Sequence, residues 1–345
     1  MKKIFIFIRK NTVLLIAAAA AAVTCFFVPI DGEYSGYFDL RTLACLFCTL
    51  AVVCAFKNIK FFVWLAGLIL KKFNTLRKSI TALIFITFFG SMILANDMAL
   101  ITFLPLGYYI LTESEQKKYM ALTFIMQNIA ANLGGMLTPF GNPQNLYLFS
   151  YYSISSEEFF KIMLPPFITA IVLIIIVCLF IKPVPIKAKT ENIPAPPLWR
   201  MLVYGVLFAI SVMIVFRIFP YYWGLLAVLA GIFATDYKAL SKVDYSLLLT
   251  FAVFFVFAGN LARIPLFNGF FSNYMAINPL FMGILSCQII SNVPSAILLS
   301  KFTADYASLL LAVNIGGLGT PIASLASLIT LNHYRASGAG SALRY

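Results

Sequence analysis

Four short polar segments stand out in a chain that is 62% hydrophobic, and the first is TPFGNPQN at 138–145. Pro139 and Pro143 remove backbone donors and stop a continuous helix, while Gly141 lets the chain turn. In hydrocarbon an unpaired backbone group is costly, so non-helical backbone survives only inside protein or beside a water-filled cavity. The freed carbonyls, with the side-chain oxygens of Thr138, Asn142, Gln144 and Asn145, suit a hard cation such as sodium. The helix that starts at Pro143 offers N–H groups and a positive dipole end to an anion.

The second segment, GLGTPIASLAS at 317–327, supplies Gly319, Thr320, Pro321, Ser324 and Ser327. It is a relative of the first. NLGGMLTP at 132–139 and NIGGLGTP at 314–321 are identical at five of eight positions, with Asn, Thr and Pro in register. The other two segments are Ala95-Asn96-Asp97 and Ser291-Asn292-Val293-Pro294-Ser295. Asp97 is the salient one, because an intramembrane carboxylate must pair, bind a cation or exchange a proton. A sodium ion is expected near Asn96, Asp97, Asn142 and Asn292; the alternative role for Asp97 is as a buried partner of a neighbouring asparagine or serine. Asp244, Asp305 and His333 lie near expected span ends, where solvation accounts for them.

These segments need elements to hold them at membrane depth. With 345 residues, 11% charged side chains and a mean hydropathy of +0.94, the chain has too little polar surface for a soluble globule. Windows such as 12–30 and 159–181 are long enough to cross a hydrocarbon core. The expectation is an all-α polytopic membrane protein. The basic start resembles a signal peptide, but the apolar stretch is long and reads as a retained first span. The six cysteines fall in apolar segments, so Cys45 and Cys48 read as packing residues despite their CxxC spacing.

The net charge of +13 is dispersed over short loops, which argues against nucleic acid. It reports orientation instead. With the amino terminus cytoplasmic, 20 of the 25 lysines and arginines fall on the cytoplasmic side. They are Lys2, Lys3, Arg9, Lys10, Lys57, Lys60, Lys71, Lys72, Arg77, Lys78, Lys117, Lys118, Lys182, Lys187, Lys189, Arg200, Lys238, Lys242, Arg335 and Arg344. The expected location is the plasma membrane, as a bacterial inner-membrane protein.

Spans are expected at 12–30 and 40–56, followed by an interfacial segment IKFFVWLAGLILKKF. The stretch 79–111 has charged loops at both ends that belong on one side, so it reads as a re-entrant hairpin with Asn96 and Asp97 at its tip and Pro105 interrupting one arm. A helix broken at TPFGNPQN covers 118–152 and a span covers 159–181, completing a first repeat over 1–182. A proline-rich linker, 183–199, and a connecting span, 200–219, lead to a second repeat over 220–345, with a hairpin at 278–301 and a broken helix at 304–332. The connecting span makes the repeats inverted, a transporter signature. No apolar span after HYRASGAGSALRY matches 159–181.

Two polar hairpin tips and two Pro/Gly-broken helices in inverted halves resemble the ion transporter superfamily, which includes divalent-anion/sodium symporters, citrate transporters and arsenite permeases. The resemblance covers nearly the whole chain. It implies a scaffold, a transport domain moving like an elevator, and a homodimer. In the sodium-coupled symporters of that group each tip carries Ser-Asn-Thr and, with the broken-helix loops, binds sodium and substrate carboxylate. Asn96 and Asn292 match that pattern, and Ser291 matches on the second tip. Ala95, Asp97 and Val293 depart from it, so sodium-coupled dicarboxylate transport is not carried over, and Asp97 favours proton coupling or cation exchange.

The sequence thus points to a secondary active transporter of a small anion, an organic acid or oxyanion, coupled to protons or sodium. The site residues are Asn96, Asp97, Thr138, Gly141, Asn142, Pro143, Gln144, Asn145, Ser291, Asn292, Pro294, Ser295, Gly319, Thr320, Pro321 and Ser324. No cofactor is expected beyond the coupling ion, H+ or Na+. A cation/proton antiporter on the same scaffold is the alternative. A membrane enzyme is disfavoured, since one histidine and one mid-membrane carboxylate make a poor acid–base site.

Overall fold

A chain this apolar must pair its backbone groups within itself, and helices do so locally. The computed structural model describes residues 12–186 and 194–338. Among them are sixteen α-helices, four short 3-10 segments and one isolated bridge, Thr75 to Pro185. Lys2, Lys3, Arg9, Lys10, Lys187, Lys189 and Arg344, which entered the charge argument, lie outside the described residues.

The first half contains α1 (Thr12–Cys25), α2 (Leu40–Asn58), α3 (Phe61–Leu70), α4 (Leu76–Leu94), α5 (Asn96–Glu113), α6 (Met120–Gly134), α7 (Pro143–Tyr151) and α8 (Ser156–Leu179). The second contains α9 (Leu198–Val215), α10 (Tyr221–Leu240), α11 (Tyr245–Arg263), α12 (Pro265–Ile277), α13 (Pro279–Ile290), α14 (Asn292–Leu299), α15 (Tyr306–Ile315) and α16 (Leu325–Ala336). Seven helical stretches among the described residues are long and apolar enough to cross a membrane: α2, α4, Lys117–Leu137, α8, α9, α10 and α11. This is the fold of a polytopic membrane protein.

Acidic residues near span ends act as helix caps. Asp39, Asp244 and Asp305 accept the amides of Thr42, Leu247 and Ser308 at 2.9–3.0 Å, each satisfying one orphan donor of a first turn. Outside the spans, Asp31 receives the Arg263 guanidinium at 2.5 and 3.0 Å, which holds its carboxyl below the usual carboxylate range. Tyr37 beside this pair lies flat over Gly259, where a Cβ would enter the ring.

Packing is reciprocal between the halves. Helix α1 lies against α11, and α2 against α10, with α9 touching both α2 and α10. Around this, α4 and α5 pack as a hairpin against α6, and α13 and α14 pack against α15. The helices after the breaks cross over: α16 packs on α5 and α6, and α7 on α14 and α15. That crossing brings the four polar segments together.

Two sequence expectations are corrected. The first span was expected to reach residue 30, but α1 ends at Cys25. Pro29 disfavours helical backbone at Val28, and the amides of Phe27 and Val28 turn back to the Thr24 carbonyl. Pro105 was expected to interrupt its arm, yet α5 runs through it unbroken. Neighbouring helices support prolines in apolar helices, and here α6 packs along this arm.

Close approach of α4 and α6 depends on Gly134, since a Cβ there would collide with the Phe88 carbonyl and the Ser91 hydroxyl. A backbone obstacle cannot rotate away. Gly134→Ala is expected to destabilise the protein by about 1–3 kcal/mol, read as a lower thermal midpoint in detergent. Gly205→Ala, with open space around it, is expected to leave that midpoint unchanged.

Candidate functional site

The two hairpin tips have the same local geometry. Ala95 joins α4 to α5 with φ 62° and ψ 153°, and Ser291 joins α13 to α14 with φ 74° and ψ 158°. This is backbone that glycine favours, and a side chain there costs of order 1–3 kcal/mol. Each tip then begins its second arm with an asparagine that caps the following amide: Asn96 Oδ1 accepts Asp97 N–H, and Asn292 Oδ1 accepts Val293 N–H, both at 2.9 Å. Both asparagines are buried.

Asparagine amides also hold the breaks. In the first, Asn142 Nδ2 donates to the Asn132 carbonyl at 3.1 Å and to Asn314 Oδ1 at 3.2 Å. Asn314 Nδ2 in turn donates to Asn145 Oδ1 at 2.6 Å, and Asn145 Nδ2 to the Met136 carbonyl at 3.2 Å. Asn96 Nδ2 reaches Asn132 Oδ1 at 3.1 Å, joining the first tip to the network. Asn132 continues to Asn128, and Asn128 Nδ2 donates to Ser327 at 3.1 Å, which pairs with Ser324 at 3.0 Å. The second tip is tied in through backbone, with Asn292 N–H donating to the Ala323 carbonyl at 2.9 Å. Gly317 sits between Asn292 and Asn132, where a Cβ would press on both side chains.

Within this cluster some polar atoms are buried without a protein partner among the described residues: Asp97 Oδ1, Asn142 Oδ1, Gln144 Oε1 and Asn292 Nδ2. Buried polar atoms are normally paired, so their concentration at tips and breaks marks a place suited to a ligand. Asp97 lies in the first turn of α5, where the helix's positive end favours a negative charge.

The expected residues divide in position. Asn96, Asn142, Asn145, Asn292 and Ser324 form the network, with Asp97, Gly141, Pro143 and Gln144 packed around it. Gly141 makes the turn with its amide on the Thr138 carbonyl. Thr138 points away, donating to the Met92 carbonyl at 3.0 Å and so fastening the first break to the hairpin. Ser291 donates to the Ala323 carbonyl, and Pro294 and Ser295 are buried one turn behind the tip. Gly319, Thr320 and Pro321 are placed outside the network: all three are exposed, and Thr320 bonds Gln288 instead. Sequence reasoning did not assign Asn128, Asn132 and Asn314 to the site. The signal was present, since Asn132 and Asn314 open the two matching octapeptides and Asn128 lies one turn before Asn132 on the same helix face.

Comparison with known proteins fixes the family. The citrate transporter family model matches residues 4–329. The chain belongs to the citrate transporter family. This membrane protein is therefore a transporter and not an enzyme. It is 35% identical over 299 residues, 85% of its own length and 80% of the relative's, to an uncharacterized transporter of Methanocaldococcus jannaschii. It is 27% identical over 311 residues, covering 89% of itself and 83% of the relative, to the inner membrane protein YbiR of Escherichia coli.

Asn314 ties the transporter's second broken helix to both asparagines of the first break. Asn314→Ala removes two interhelical bonds of about 0.6 kcal/mol each in a membrane, so the fold is expected to persist with a slightly lower thermal midpoint. Transport in proteoliposomes is expected to fall far more steeply, because Asn142 and Asn145 lose their common anchor. Uptake that falls only in step with protein stability would remove Asn314 from the site.

Proposed function

We propose that the transporter carries a small anion, an organic acid or oxyanion, by secondary active transport coupled to protons or sodium, with alternating access. The observation that carries the reading is the meeting of two strained tips and two helix breaks on one buried amide network with unpaired donors and acceptors. Helices α5, α7, α14 and α16 all begin there, and their amino ends favour negative charge. A family described by the name citrate transporter supports a carboxylate as the substrate class.

The unpaired atoms suggest a division of labour. Asp97 Oδ1 and Asn142 Oδ1 are oxygen acceptors, the ligand type that sodium takes. Asn292 has its oxygen on Val293 and its Nδ2 free, so it offers a donor to the anion. We place the cation or proton at Asn96, Asp97 and Asn142, and the substrate against Asn292 and the amino ends of α7 and α16. Inverted repeats, with α1, α2, α9, α10 and α11 as scaffold and the hairpins and broken helices as the moving unit, are supported by the reciprocal packing and by the crossing of α7 and α16. An elevator motion, a homodimer and an inner-membrane location with a cytoplasmic amino terminus belong to the same proposal. The relative in Escherichia coli is named for the inner membrane.

A second reading, cation/proton antiport without an anion, is favoured by Asp97 alone. One experiment addresses both readings. In proteoliposomes, Asp97→Asn is expected to reduce proton- or sodium-driven uptake of organic acids about tenfold or more, equivalent to ~1.4 kcal/mol of lost coupling. Unchanged coupling would remove Asp97 from the mechanism. Sodium/proton exchange that needs no anion, lost in the variant, would establish the antiporter.

A further inference from the structure

Away from the amide network, a groove of about 810 Å³ runs between α3, the outer face of α4 and the carboxyl end of α8. Its size lies in the range of about 300–1,000 Å³ usual for sites of bound small molecules. Phe62 and Leu65 of α3, Phe85 and Phe89 of α4, and Ile175 of α8 give it apolar walls. Arg77 and Lys78, on the first turn of α4, are its only charged lining residues among the described residues. The sequence has no Asp or Glu between Asp39 and Asp97, so neither base has an acidic neighbour in this stretch.

Arg77 is held in place. Its Nε donates to the Ile181 carbonyl at 2.6 Å, and its remaining N–H groups have no protein partner among the described residues. Lys78 is exposed and in no ion pair among them. Glu113 and Glu115, at the end of the hairpin's other arm, also form no ion pair among the described residues.

We infer that this groove binds an anionic phospholipid, with its phosphate on Arg77 and Lys78 and an acyl chain along Phe85 and Phe89. Three features select this occupant. The walls are hydrocarbon, as an acyl chain requires. Lysines at both ends of α3, Lys60 before it and Lys72 after it, mark the level of the membrane interface, and lipid phosphates lie there. A second protein copy seated in the groove would have to place an acidic side chain against Arg77 and Lys78 to avoid burying them unpaired, which is costly, whereas an anionic headgroup neutralises them. Such a lipid would clamp α3 against the hairpin that ends at Asn96 and Asp97. The inference requires only that the chain is membrane-embedded and stands apart from the proposed coupling mechanism.

The test is native mass spectrometry of the full chain, purified in detergent and titrated separately with phosphatidylglycerol and phosphatidylcholine. One phosphatidylglycerol per chain is expected to survive collisional activation that strips phosphatidylcholine. Arg77 also fastens α4 to Ile181, so the informative variants are Lys78→Ala and Ala82→Trp. Lys78→Ala should weaken phosphatidylglycerol binding about fivefold, the contribution of one basic group near a phosphate. Ala82→Trp, which fills the groove and leaves its charge unchanged, should eliminate the retained lipid. Lys117→Ala/Lys118→Ala, which do not line the groove, should bind as the parent does. Equal retention of the two lipids by the parent overturns the inference. So does parental binding in Lys78→Ala or in Ala82→Trp, or an equal loss in the Lys117/Lys118 control.

Discussion

The governing constraint is that a backbone group at membrane depth must find its partner within the protein. Ordinary helices satisfy it along their length, and the two tips and two breaks are where they stop doing so. Asparagine supplies the remedy, because its amide both donates and accepts on a short tether. Asn96 and Asn292 cap the amides beside them, Asn142 reaches back to the Asn132 carbonyl, and Asn145 holds the Met136 carbonyl. The strained backbone at Ala95 and Ser291 persists because these bonds over-determine it.

The halves solve the problem with different side chains. In the first break Asn142 and Asn145 converge on Asn314; in the second Ser324 and Ser327 occupy the matching positions and meet Asn128 instead. Serine is shorter and has no second polar atom, so Asn128 is needed as the linking group. Helix α8 packs against the segment leading into the first break, while residues 319–322 of the second are exposed. Despite this difference the two threonines make the same bond: Thr138 donates to the Met92 carbonyl and Thr320 to the Gln288 carbonyl, each four residues before its tip asparagine.

Much of this was legible in the sequence, and the reasons are specific. Apolar length placed the helices, and prolines with glycine placed the breaks, because both express local rules. The octapeptide match singled out both breaks, since Asn, Thr and Pro in register carry more information than apolar letters. Pro105 was misread because a local rule was overridden by the helices packed around it. The role of Asn132 and Asn314 was not legible, although both were visible, because crossing of α7 and α16 between the halves decides which asparagines meet. Sequence spacing does not encode that crossing.

Asp97 carries the last step. Shaping the tip does not account for a charged group there, because the second tip does without one. Val293 occupies the matching position and its amide is capped by Asn292 with the same 2.9 Å bond that Asn96 makes to Asp97. An apolar side chain therefore suffices for that backbone geometry. The first tip nonetheless holds a carboxylate with one buried, unpaired oxygen, next to an asparagine already committed to the network. A group that is costly to bury and unnecessary for the fold needs a reason outside the fold. In the coupling mechanism we propose, that reason is a cation or proton that arrives and leaves.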